Sequence, residues 1–198
     1  MSTPTLTVPY ITRWSTEATA LGQLTRRPSG RGIAYRDEAL GDRDKHGVLW
    51  ARANSAPTVG RPSFGKIHPA RQRRAMRRLL CQVCANPADQ TPDGVLWLLL
   101  DHRDDWPDWP HGMGVTEPPI CRPCIDVATQ HCPALRRGHI VIRSRQHDIS
   151  GIQGLQFHPG RTGITPGEQV LLDYTDPAVV WTLAHNLVRL LGDCTIVD

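Results

Sequence analysis

Cys81-Gln82-Val83-Cys84 and Cys121-Arg122-Pro123-Cys124 decide how this chain reads, with 36 residues lying between the two pairs. A C-x-x-C turn presents two sulfurs at the separation that one tetrahedral ion needs, and two such turns complete the tetrahedron. Zinc has no ligand-field preference and takes thiolates readily in structural sites, so the expectation is one structural Zn2+ held by Cys81, Cys84, Cys121 and Cys124. A thioredoxin-like redox pair accounts for only one of the two turns. The six cysteines are an even number, which raises a disulfide framework. Residues 1–20 lack a charged start followed by an apolar run, however, so reduced thiols in the cytoplasm are expected. Cys132 and Cys194 stand outside the pairs and read as small buried hydrophobes, with Cys132 also a spare ligand.

Between the pairs, Gly94-Val95-Leu96-Trp97-Leu98-Leu99-Leu100 reads as a strand. After the second pair, Ile125 to His131 reads as a short helix. A first knuckle, a strand or hairpin, and a helix carrying the last two ligands is the order of a treble clef. Before the first pair lies a basic helix from Pro69, well placed at a first turn, to about Leu80. Lys66 to Leu80 holds six basic residues and no acid. Arg71, Arg73, Arg74, Arg77 and Arg78 fall on one half of its wheel, and Met76, Leu79 and Leu80 on the other. Such a stripe suits phosphates, whose neutralisation releases counterions. It also suits a solvated face, or the balancing of a four-thiolate centre.

Strands are expected at 32–36, 48–52, 139–145, 149–157 and 168–173. The tetrapeptide Gly-Val-Leu-Trp occurs at 47–50 and again at 94–97, which a matched pair of strands in one sheet would explain. Asp176 offers an N-cap and Pro177 a first helical position. Val180, Trp181, Leu183, Ala184, Leu187, Val188, Leu190 and Leu191 then cover half a wheel, so an amphipathic helix is expected to about Leu191, ended by Gly192. The fold class expected is α+β: a treble-clef-like zinc centre, antiparallel strands and a C-terminal amphipathic helix. The chain divides into a strand and loop region (1–65), the basic helix with the zinc module (66–132), and C-terminal strands and helix (133–198), together one compact unit.

The strand at 94–100 runs into Asp101-His102. C-x-x-C, a strand ending in Asp-His, a loop and a second C-x-x-C resembles HNH-type nucleases with a treble-clef zinc site, over about 50 of the 198 residues. The resemblance implies His102 as general base and a second metal held by Asp101, His102 and His111 or His131. The chain departs from that family in having no Asn at 103–120 and Ile125 where the family often has Asn. As a whole the chain is similar to actinobacterial and phage-associated proteins with the same twin C-x-x-C, a resemblance that brings no activity with it.

The chain is 39% hydrophobic and 21% charged, within the globular range. Its net charge is +4. Lys45 and Lys66 are the two lysines among 23 basic residues, so arginine dominates. The longest apolar run, Val95 to Leu100, is too short to span a bilayer. No Walker motif, dinucleotide fingerprint or Gly-x-Ser-x-Gly elbow is present, and no small-molecule cofactor is indicated. Trp106 and Trp109, set among Asp105, Asp108 and two prolines, offer a protein-partner surface or a cover for the zinc module. The leading expectation is a non-catalytic accessory or regulatory protein acting on DNA or a DNA-bound partner. The alternatives are an HNH-like endonuclease and a pure protein–protein adaptor.

Overall fold

The computed structural model describes residues 7–20 and 23–197, with Thr19 and Ala20 described by backbone alone. Residues 1–6, the pair 21–22 and residue 198, which belong to the outer regions of the expected division, lie outside the described residues. The described chain is mixed α+β and mostly strand. In order its strands are β1 (Thr12–Trp14), β2 (Thr19–Ala20), β3 (Leu24–Arg26), β4 (Ile33–Tyr35), β5 (Leu49–Trp50), β6 (Arg52–Ala53) and β7 (Pro62–Ile67). Helix α1 (Pro69–Arg78) precedes β8 (Gln90–Thr91), β9 (Gly94–Leu100) and β10 (Met113–Val115). Helix α2 (Pro123–His131) precedes β11 (His139–Pro159), β12 (Ile164–Asp173) and β13 (Thr182–Ile196).

Seven strands form one sheet around the antiparallel pair β11 and β13. One side of β11 carries β9 along its first half and β12 along its second. The far side of β13 carries β10 and, in parallel, β5. Between those two short strands the Gln72 side chain of α1 takes the place of a neighbour. Its amide accepts from the Leu187 N–H at 3.0 Å and donates to the Leu187 carbonyl at 2.9 Å. A buried strand edge must satisfy its backbone groups, and here a helix residue does so. The two Gly-Val-Leu-Trp copies contribute to this sheet on opposite flanks of the β11–β13 pair, not as neighbours. Gly94 turns the β8–β9 hairpin at φ 113°, and a side chain there would meet the Ser144 carbonyl.

The C-terminal amphipathic helix is not formed. Pro177–Trp181 is a short 3-10 turn, capped by Asp176 as expected through its bond to the Ala178 N–H, and Thr182–Ile196 is β13. The physical reason is burial on both faces. Leu183, Ala184, Leu187, Val188 and Leu191 are all buried, and Leu183, Ala184, Leu187 and Leu191 divide among separate clusters of the core. A strand buried on both faces reads as a near-continuous apolar run, which periodicity does not separate from a helix. The strand candidates at 139–145 and 149–157 are one strand, β11, with a bulge at Ser150.

Helix α1 forms where the sequence placed it. His68 is its N-cap, accepting from the Arg71 N–H, and Pro69 follows. It stops when Leu79 takes a left-handed conformation at φ 50°. Leu80 then pairs with Pro87 across the first knuckle, so the two leucines leave the helix just before Cys81.

Candidate metal centre

The first knuckle is built by local hydrogen bonds. Cys81 N–H donates to the Asn86 carbonyl at 2.7 Å, Ala85 N–H to the Cys81 carbonyl at 2.9 Å, and Val83 N–H to the Cys81 sulfur at 3.4 Å. The second turn lies at the start of α2, where Cys124 N–H donates to the Cys121 carbonyl at 3.0 Å. Ile120, the residue before it, is tied into the β8–β9 hairpin. Its N–H donates to the Leu96 carbonyl at 3.0 Å, and its carbonyl accepts from Asp89 N–H at 3.0 Å. The N-terminal segment closes over the first knuckle, as Tyr10 N–H donates to the Val83 carbonyl and Ile11 N–H to the Gln82 carbonyl. Knuckle, hairpin and helix thus meet around the four cysteines.

The four sulfurs of Cys81, Cys84, Cys121 and Cys124 lie within 4.8 Å of one another. The Cys84 and Cys121 sulfurs are 3.7 Å apart. Tetrahedral Zn–S bonds of ~2.3 Å require sulfurs ~3.8 Å apart, whereas a disulfide requires about 2.0 Å. All six cysteines are free thiols. Cys81 and Cys124 are buried with Val83, Leu96, Leu98 and Ile120. Cys84 is exposed and Cys121 half-buried. The cluster could hold one metal ion, and its donor set suits a soft or borderline cation.

Burial pushes the Cys121 thiol up to about 11 and the Cys124 thiol up as well. Burial acts the same way on Cys84. There it is outweighed by the Asn86 N–H and the neighbouring thiols, so Cys84 is held below its usual value. Four acidic groups in one cluster cannot all ionise without a counter-charge. A bound dication supplies one, so uptake of the ion deprotonates the set.

The remaining candidates are distributed differently. Asp101 binds Arg103, at 2.7 Å, and the guanidinium holds its carboxyl below the usual range. His102 Nδ1 is 3.4 Å from Asp105. His111 Nδ1 faces the Cys194 N–H at 3.3 Å. His131 is exposed at the end of α2. Among the described residues, these side chains do not converge as a second group of three or more metal donors. Trp109 is 7% exposed inside the core, and Trp106 packs against the same cluster. Trp109 is thus part of the core, where its ring removes apolar surface from water, whereas Trp106 is half-buried.

The arginines divide as well. Arg71 is buried against Glu17 at 2.6 Å, so it is not part of an exposed stripe. An arginine on the inner face of a helix needs an acid, and Glu17 supplies it across the fold. Arg73 is half-buried with its guanidinium 4.5 Å from the Trp50 ring. Arg74, Arg77 and Arg78 are exposed, with Arg77 3.9 Å from Asp44.

Sequence reasoning missed Glu17, Gln72 and Arg189. Arg189 is buried and donates to the Met76 carbonyl at 2.6 Å, and so caps the last turn of α1 from β13. No described helix is long and apolar enough to cross a membrane. No protein-family model, no curated protein and no solved structure matches the chain.

Proposed function

We propose that Cys81, Cys84, Cys121 and Cys124 hold one structural zinc ion in a treble-clef-like centre. On this reading the chain acts without catalysis, as an accessory or regulatory protein on DNA or on a DNA-bound partner. An all-sulfur, four-donor set leaves no ligand position for substrate, which favours a structural ion over a catalytic one. The observation that carries the DNA part is the exposed ridge of Arg74, Arg77 and Arg78 on a helix that leads directly into the first knuckle. A rigid metal-anchored helix presents such a ridge with little loss of conformational entropy on binding.

Three phosphate contacts would give a log–log salt slope near −2.7, about 0.9 per phosphate neutralised. Fluorescence anisotropy with a short duplex at increasing salt measures it. Replacing Arg74 and Arg78 together with alanine is expected to make the slope shallower by about 2. Absence of duplex binding would favour the pure protein adaptor instead.

The nuclease resemblance has its own test. Asp101 is engaged by Arg103 and His102 faces Asp105, so both need rearrangement before they hold a metal and activate water. Plasmid DNA incubated with the protein and magnesium, manganese or nickel is expected to remain intact. Cleavage by the wild type that disappears in His102→Ala would replace the accessory reading with a nuclease.

A further inference from the structure

In the β11–β13 ladder Gln153 faces Asn186, while the next residue, Gly154, faces Ala184. His185 is therefore an extra residue, a bulge in a central strand. Adjacent residues of a regular strand point to opposite faces, and a bulge is the device that re-aims one of them. Here His185 and Asn186 both line a cleft of about 840 Å³ between the β1–β7 ribbon and the main sheet. That size falls in the range of small-molecule sites.

The floor of the cleft is polar and arranged. Asn186 Nδ2 donates to Gln153 Oε1 at 2.8 Å. This bond leaves the Gln153 amide N–H groups and the Asn186 carbonyl as a donor–acceptor pair. Gln169, on β12, adds a third amide at the side. Burial pushes the His185 imidazole below its usual value, so at neutral pH it offers one donor and one acceptor. Trp14 and Leu155 make half-buried apolar walls. Arg13 and Lys66 bring positive charge to the lining. The acid of the cleft, Glu17, is already taken up by Arg71 and by the N–H groups of Trp14 and Ala56. That network fixes the turn after β1, and with it the wall that carries Trp14.

We propose that this cleft binds a nucleotide, its base edge on the Gln153–Asn186–His185 floor and its phosphate beside Lys66. An amide donor beside an amide acceptor is the side-chain complement of a base edge, an aromatic wall stacks on its face, and the lysine takes the phosphate. The source is a free nucleotide or the end of a single strand, since both carry the same chemistry. The inference does not rest on the duplex-binding reading, because neither Arg74 nor Arg78 lines this cleft.

Isothermal titration of the full chain with adenosine, guanosine, cytidine and uridine monophosphates, with adenosine, with inorganic phosphate and with a short single strand tests it. At least one monophosphate is expected to bind saturably, and more tightly than adenosine or phosphate alone. Asn186→Ala and His185→Ala should each weaken it about tenfold, the worth of one hydrogen bond. Those residues sit in a central strand, so the exposed Lys66→Glu and Gln169→Ala supply variants that leave the sheet intact. Lys66→Glu should weaken the nucleotide by about tenfold while leaving adenosine unchanged. Equal affinity for strand and mononucleotide assigns the free nucleotide, and tighter strand binding assigns a strand end; both support the cleft. No saturable nucleotide binding, or binding indifferent to both Lys66→Glu and Gln169→Ala, overturns it.

Discussion

Replacing Cys81 with serine should release the proposed zinc and unfold the centre of the molecule. Cys81 is fully buried, at 0% exposure, among Leu96, Leu98, Val83 and Ile120. A serine there supplies a poor zinc ligand and leaves a hydroxyl in an apolar cluster, itself costing about 1–3 kcal/mol. The larger loss is the metal. Apparent zinc binding in small tetrahedral sites is worth roughly 10–16 kcal/mol at neutral pH, and that free energy is folding free energy. Elemental analysis is expected to find one zinc per chain in the wild type and none in Cys81→Ser, with the thermal midpoint of the variant matching that of chelator-treated wild type. Cys132→Ser and Cys194→Ser, whose thiols lie outside the cluster, should keep the metal. A wild type that is metal-free yet cooperatively folded, with a midpoint unmoved by chelator, would remove the zinc centre from the account of this fold.

Arg71→Ala should be the most damaging single change away from the cysteines, with a loss of about 3–5 kcal/mol, the usual cost of stranding one partner of a buried ion pair. Arg71 makes two contacts of 2.6 Å to the Glu17 carboxylate and a third of 2.7 Å to the Thr12 carbonyl. Glu17 also accepts from the N–H groups of Trp14 and Ala56. One pair therefore joins the first strand, the loop before β7 and helix α1. By contrast Arg73→Ala, which removes a guanidinium stacked on Trp50, should cost about 0.5–2 kcal/mol. Denaturant midpoints separate the two.

The same pair sets a pH dependence. Burial alone would raise the Glu17 carboxyl, but Arg71 and the two backbone N–H groups overcome it and hold the group at about 2 against an ordinary 4.5. A lowered carboxyl contributes stability that is complete above 4.5 and is lost as pH falls through about 2. The difference in stability between wild type and Glu17→Gln should therefore shrink across that window. Taking the difference cancels the release of metal, which acid causes in both proteins. A difference that stays constant from pH 5 to 2 would show that Glu17 is not held as an anion.

By itself the sequence determined the features whose cause is local. The cysteine pairs were legible because a ligand turn closes within four residues, and all four sulfurs meet. The strand Gly94–Leu100 was legible because an apolar run bounded by a Pro-Asp-Gly turn has one short extended reading. Helix α1 was legible from Pro69 at its first turn and the absence of breakers after it. Tertiary structure alone decided the rest, because the deciding partners are far away in the chain. Residues 182–191 repeat apolar side chains in a way that suits a helix. They are held extended by β11 on one edge, by β10 and β5 on the other, and by Gln72 across the gap between those two. Both faces are buried, and the His185 bulge breaks the alternation that would have marked a strand. Arg71 looked like its four neighbours on the helix until Glu17, 54 residues earlier, claimed it. Which charged residue turns inward depends on where its counter-charge comes to rest, and that position exists only once the sheet has formed.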